Sequence, residues 1–282
     1  MNLFQILILA IVQGAAELLP VSSSAHVIVA EKLMGLDPTA PEMTLLLVML
    51  HTGTMFAVIA YFWKSWRATY FSSGAAFRSN ALYVIIATAV TGIVGLVLLR
   101  LITHVVAGDA SKFEIEQLFG NAKLMATALA AAGVLIILSS LLQKKSGVDD
   151  ISIRSAAWIG AVQGLCLPFR GFSRSGATIS TGLALGVSRR RAEEFSFALA
   201  VVLTPAVIVK EAYRFYQAQA ASTVAHTNGL MHLIGPSLIG MVLSFLVGLL
   251  ALRWLSRWLE QGRWHFFGAY CLFASMVVLW VG

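Results

Sequence analysis

The sequence predicts an all-α integral membrane protein built as an inverted repeat, each half a re-entrant helix–loop–helix followed by three transmembrane helices. Three observations carry this expectation. The chain of 282 residues is 59% hydrophobic and only 12% charged, about half the charge of an ordinary globular chain. Six apolar stretches are spread along it, most of them close to the roughly 20 residues a helix needs to cross a bilayer core. Two segments rich in Gly, Ser and Pro interrupt them at related positions. A β-barrel would show short alternating segments instead, and the sequence has none.

Residues 2–19 are nearly long enough to span, but Pro20 ends a helix there. Only 27–34 follows before Gly35, which is too short to cross. This pair reads as a hairpin that enters and leaves on one side, backbone tolerated at membrane depth only where protein or a wet cavity surrounds it. Residues 43–63, 81–99 and 124–142 read as spans. A second hairpin is expected from 155–169 and 179–186, and three more spans from 195–209 running on to 213, 230–252 and 264–281. The whole, 1–282, is one membrane domain, with one repeat at about 1–142 and the other at about 155–282.

Residues 10–26 lie against 160–176 at a constant offset of 150, so that Val12, Gln13, Gly14 and Ser23 meet Val162, Gln163, Gly164 and Ser173. An odd number of spans separates the two hairpins, so they enter from opposite faces. Transporters share this logic and place their sites at the repeat interface.

Charge orients the arrangement. Twelve Lys and Arg residues, including Lys64, Arg67, Lys144, Lys145 and Arg263, fall on one side. Six fall on the other: Lys32, Arg100, Lys112, Lys123, Lys210 and Arg214. The positive-inside bias assigns the first side to the cytoplasm and leaves both termini outside. Arg170 and Arg174 belong to neither side, which marks them for function. Arg189, Arg190 and Arg191, with Glu193 and Glu194, read as a cytoplasmic anchor. The net charge of +7 does not point to nucleic acid, because no basic face with interleaved aromatics accompanies it. Cys166 and Cys271 read as small buried hydrophobes. The first basic residue is Lys32, so the N-terminus does not read as a cleavable signal.

Chemistry concentrates in the two loops. Gln13 and Glu17 are four residues apart and share a helix face, and an intramembrane carboxylate is functional by default. Ser22, Ser23, Ser24 and His26 follow. The serines suit caps for the second helix, whose N–H groups favour an anion. Together the segment offers a base, a nucleophile and a proton donor within ten residues. His51, alone in an apolar span, reads as a hydrogen-bonded core residue. The second loop adds positive charge: Gly171 and Gly176 permit tight turns, Ser173, Ser175 and Thr178 are donors, and the planar fork of Arg174 suits phosphate oxygens. There is no NTP-binding P-loop and no zinc spacing. A hard ion such as Mg²⁺, which uses one or two protein carboxylates, could bridge Glu17 and substrate phosphates.

Gln13-x-x-x-Glu17 with P-V-S-S-S-A-His26, and G-F-S-R-S-G-A-Thr178, resemble the two signatures of bacterial undecaprenyl-pyrophosphate phosphatases of the bacitracin-resistance type. His51-T-G-Thr54 and S-R-R-R-A-E-E-F-S-Phe197 fit the flanks, so the resemblance covers nearly the whole chain. It implies hydrolysis of undecaprenyl pyrophosphate to the monophosphate carrier used in peptidoglycan synthesis, with reduced bacitracin sensitivity. It also implies Glu17, Ser23, His26 and Arg174 as catalytic residues. A divalent cation, Mg²⁺ or Ca²⁺, and a site open to the periplasmic side of a bacterial inner membrane follow from it as well. Gln13, Ser22, Ser24, Gly171, Ser173, Ser175, Gly176 and Thr178 are the expected substrate contacts, and Glu17 the metal ligand. Two positions depart from the family pattern: Arg170 stands where proline is usual, and Ala25 where glycine is.

The expected mechanism is metal-assisted hydrolysis, with either Ser23 or His26 as nucleophile. The competing expectation is a transporter or lipid-carrier flippase on the same architecture. Expected partners are the polyprenyl pyrophosphate and the membrane, with no nucleic acid, and a homodimer is left open.

Overall fold

The computed structural model describes residues 1–37, 40–107, 121–143, 147–221 and 227–281. Among them are ten helices: α1 (Leu3–Ala16), α2 (Ser23–Leu33), α3 (Pro41–Tyr70), α4 (Gly74–Ala107), α5 (Ala122–Leu142), α6 (Ile153–Cys166), α7 (Arg174–Ala184), α8 (Arg189–Ala221), α9 (Thr227–Glu260) and α10 (Trp264–Val281). No strand occurs among the described residues, apart from one isolated bridge between Val148 and Val187. Six helices, α3, α4, α5, α8, α9 and α10, are long and apolar enough to cross a membrane. The expected all-α membrane class therefore holds. Lys112, Lys144 and Lys145, used above to weigh the two sides, lie outside the described residues.

The ends differ from the expected ones for physical reasons. α1 stops at Ala16 rather than 19, because the chain turns through residues 17–21 ahead of Pro20. α3 runs on through Lys64 and Arg67 to Tyr70. Lysine and arginine are good helix formers whose stems lie along apolar surface while their heads reach water.

Glycines set how closely the helices approach. α1 packs on α9 and α6 packs on α4. A methyl at Gly14 would lie 2.9 Å from the Ser244 carbonyl oxygen, and one at Gly164 would lie 2.9 Å from that of Thr91. Small residues at such crossings let backbones meet where no hydrophobic effect drives helices together. The two glycines that coincide at the 150-residue offset thus perform the same task at two separate crossings. At Gly160 the Cβ would sit 2.3 Å from the Ala87 carbonyl oxygen. Gly160→Ala is therefore expected to cost roughly 1–3 kcal/mol through overpacking. It should lower the thermal midpoint in detergent; an unchanged midpoint would refute so tight a crossing.

α5 lies along α10, α3 along α8 and α9, and α7 packs on α5, α6 and α8. Residues Ser175 to Leu183 of α7 are all buried although many are polar. Their hydroxyls are satisfied inside the protein. Thr181 donates to the Ala177 carbonyl at 2.8 Å, Ser180 accepts from Trp264 Nε1 at 3.0 Å, and Thr178 pairs with Ser196 of α8 at 2.6 Å.

The arginine and glutamate run at the start of α8, expected as a cytoplasmic anchor, leaves Arg190 exposed but packs other charges inside the protein. Arg191, Glu193 and Glu194 are buried. Arg191 donates to Asn80 of α4 and lies over the Tyr70 ring. Arg190 and Ser65 both donate to Glu194, and Ser256 of α9 donates to Glu193 at 2.5 Å. The knot joins α3, α4, α8 and α9. Sequence alone misses it because the partners Ser65, Asn80 and Ser256 come from three distant segments.

Candidate active site

The first hairpin builds the site around one carboxylate. One helical turn separates Gln13 from Glu17, and the Gln13 amide donates to Glu17 Oε2 at 3.2 Å. After the turn, Ser23 opens α2 and donates its hydroxyl to the same oxygen at 2.6 Å. Ser22, just before it, has φ +67°, a left-handed backbone that costs a non-glycine residue free energy and occurs often at functional sites. Ser22 stands at the N-cap of α2 but makes no side-chain cap; its hydroxyl pairs with that of Ser24 at 3.3 Å. The expected serine cap is thus absent: the Ser22 hydroxyl pairs with Ser24 and the Ser23 hydroxyl with Glu17.

The second hairpin brings the cation. Ser173 caps α7, accepting from Gly176 N at 3.2 Å, which sets Arg174 at the first residue of the helix. Arg174 Nη2 lies 3.6 Å from Glu17 Oε1. Its Nη1 is buried and has no hydrogen-bond partner among the described residues. An unpaired guanidinium N–H buried beside an ion pair is costly, and an anionic ligand would relieve that cost. α3 adds His51, whose Nε2 lies 3.9 Å from Glu17 Oε2. Its Nδ1 donates to the Leu47 carbonyl at 2.8 Å.

Gln13, Glu17, Ser23 and Arg174 are therefore brought together, with His51 added. The other named residues take supporting positions. Ser175 donates to the Leu19 carbonyl at 3.3 Å, tying one hairpin to the other. Thr178 donates to the Arg174 carbonyl at 2.8 Å. Gly171, at φ +103°, passes so near α5 that a Cβ would meet the Met125 carbonyl oxygen at 2.3 Å. His26 turns towards α10 and not towards Ser23. Arg170 is exposed, and its charge acts on Glu31 of α2.

The residues present fit a divalent cation in one way. Among the described residues no group of three or more His, Cys, Asp and Glu could hold a metal, so a protein-built cage is absent there. Glu17 Oε1, facing Arg174, is a hard oxygen donor. A site made of one carboxylate and completed by substrate oxygens suits Mg²⁺.

Comparison with known proteins shows the family. The family described as bacitracin resistance protein BacA matches residues 6–277. The chain belongs to the BacA family. Undecaprenyl-diphosphatase 2 of Acinetobacter baylyi is 67% identical over 279 residues, covering 99% of this chain and 98% of its own length. An undecaprenyl-diphosphatase of Desulfosudis oleivorans is 33% identical over 300 residues, with 100% and 99% covered. One of Rhodopirellula baltica is 29% identical over 279 residues, with 99% and 97% covered.

In this BacA-family chain, reading the sequence missed two contacts. His51 reads as a core residue because its span is apolar; its signal is the His51-T-G-Thr54 flank, which the resemblance already includes. Tyr270 has no local signal at all, since only the packing of α10 brings it to His26.

Proposed function

We propose that this protein hydrolyses undecaprenyl pyrophosphate to undecaprenyl phosphate, returning the lipid carrier to peptidoglycan synthesis and so conferring bacitracin resistance. The observation that carries the reading is the convergence on Glu17 of a hydroxyl at 2.6 Å and a guanidinium at 3.6 Å, from opposite hairpins. Ser23 Oγ is positioned as nucleophile on the terminal phosphorus, and its proton passes to Glu17. The bond from that phosphorus to the bridging oxygen breaks and undecaprenyl phosphate leaves. Water then cleaves the phosphoserine, releasing inorganic phosphate and restoring the hydroxyl. His26, one helical turn beyond Ser23, is the second proton-transfer group.

Arg174, with an unpaired Nη1, stabilises charge on the transferred phosphoryl oxygens. Gln13 and His51 orient the carboxylate. A divalent cation, held by Glu17 and substrate oxygens, would neutralise pyrophosphate charge. The polyprenyl tail lies among the apolar spans, which supply binding energy away from the reacting atoms. The family supports a bacterial inner-membrane placement, and the charge asymmetry along the sequence supports an orientation with both termini periplasmic. The exchange of partners, α1 on α9 and α6 on α4, supports two halves related by inversion.

Purified protein in detergent, with Mg²⁺ and Ca²⁺ each supplied, is expected to release inorganic phosphate from a polyprenyl pyrophosphate. Vectorial transport cannot occur there, so a protein that releases none is no phosphatase and a carrier reading takes its place.

A further inference from the structure

Both ring nitrogens of His26 are occupied. Nδ1 lies 2.8 Å from the Ser22 carbonyl oxygen, which only accepts, so Nδ1 carries the proton. Nε2 of the neutral ring is then a lone-pair acceptor. It lies 2.8 Å from the hydroxyl of Tyr270 on α10, and that hydroxyl donates to it. The two rings stack, with centroids 5.6 Å apart and planes at 13°. The next residue, Cys271, donates its thiol to the Pro20 carbonyl at 3.2 Å. α10 thus holds the chain on both sides of Ser23, at Pro20 before it and at His26 after it. Ser23 and His26 are three residues apart on α2 and share a helix face.

We infer that Tyr270 is a positioning residue for the phosphatase reaction: its hydroxyl, 2.8 Å from His26 Nε2, holds that imidazole in one tautomer and one ring plane, three residues beyond Ser23 on α2. The inference rests on the function proposed above. The plainer account is two polar groups satisfying each other at the partly open edge where α2 meets α10, since Tyr270 is 43% exposed. A role through His26 differs from that account in being measurable in catalysis and lost when His26 is replaced.

Tyr270→Phe keeps the ring and removes only the hydroxyl. It is expected to lower kcat about tenfold, the equivalent of one hydrogen bond, with KM little changed. In a His26→Gln background the same substitution is expected to cost nothing further, because residues acting as a unit are not additive. Nitrogen NMR of histidine-labelled resting protein is expected to show an unprotonated, hydrogen-bonded Nε2 at His26 that shifts in Tyr270→Phe. Additive losses in the double variant would overturn the inference, as would an Nε2 resonance unchanged by Tyr270→Phe. A wild type that releases no phosphate overturns the phosphatase reading instead. The two failures are distinct, because the resonance is read without turnover.

Discussion

Arg174→Ala is expected to lower kcat/KM for phosphate release by about 10³-fold, the scale of losing one aimed charge-stabilising group. Arg174 is half-buried, stands 3.6 Å from Glu17 Oε1 and carries a buried Nη1 with no hydrogen-bond partner among the described residues. Its donors are therefore only partly used within the protein. Glu17 keeps the Ser23 and Gln13 bonds in the variant, so the fold should persist and thermal unfolding in detergent should change little. Arg174→Lys retains charge but not the planar fork, and should recover only part of the loss. Full activity in Arg174→Ala would exclude a phosphate contact at this residue.

Ser23→Ala is expected to remove activity by about 10³-fold or more, as loss of a nucleophile does in residues that act as a unit. The reason is geometric. Ser23 Oγ donates at 2.6 Å to a carboxylate, the arrangement of a nucleophile beside its base. His26 has its lone pair occupied by Tyr270. Brief reaction with labelled polyprenyl pyrophosphate, followed by quenching and peptide mapping, should place the phosphoryl group on Ser23. A label on His26, or an active Ser23→Ala, would transfer the nucleophile's role and leave Glu17–Ser23 a structural pair.

Much of this site is legible locally because its parts lie close in the chain. Gln13 and Glu17 are one turn apart on α1, and Ser23 follows the Pro20 turn; helix periodicity and proline chemistry suffice to put them together. The Gly-Ser loop announces Arg174 through its residue types. His51 is harder, since one histidine in an apolar span looks alike whether it faces a carboxylate or only its own backbone. The run from Arg189 to Glu194 reads as a cytoplasmic anchor by composition. Arg191, Glu193 and Glu194 are nevertheless buried, because Asn80, Ser65 and Ser256 arrive from other helices to pair with them. Tyr270 is 244 residues from His26, beyond any local pattern.

The sequence by itself determined the solvent of this protein and the chemistry it carries. Apolar length sets what can cross a bilayer, while Pro, Gly and Ser mark where the chain must turn. A lone carboxylate and two unassigned arginines at membrane depth mark where charge has a purpose. Only the tertiary structure decided which charges meet. It set Arg174 against Glu17, brought His51 beside the same carboxylate and turned His26 towards α10. The physical reason is that helix faces are written in residues three and four apart, whereas the crossing of two helices depends on glycines such as Gly14, Gly160 and Gly164 meeting backbone far away in the chain.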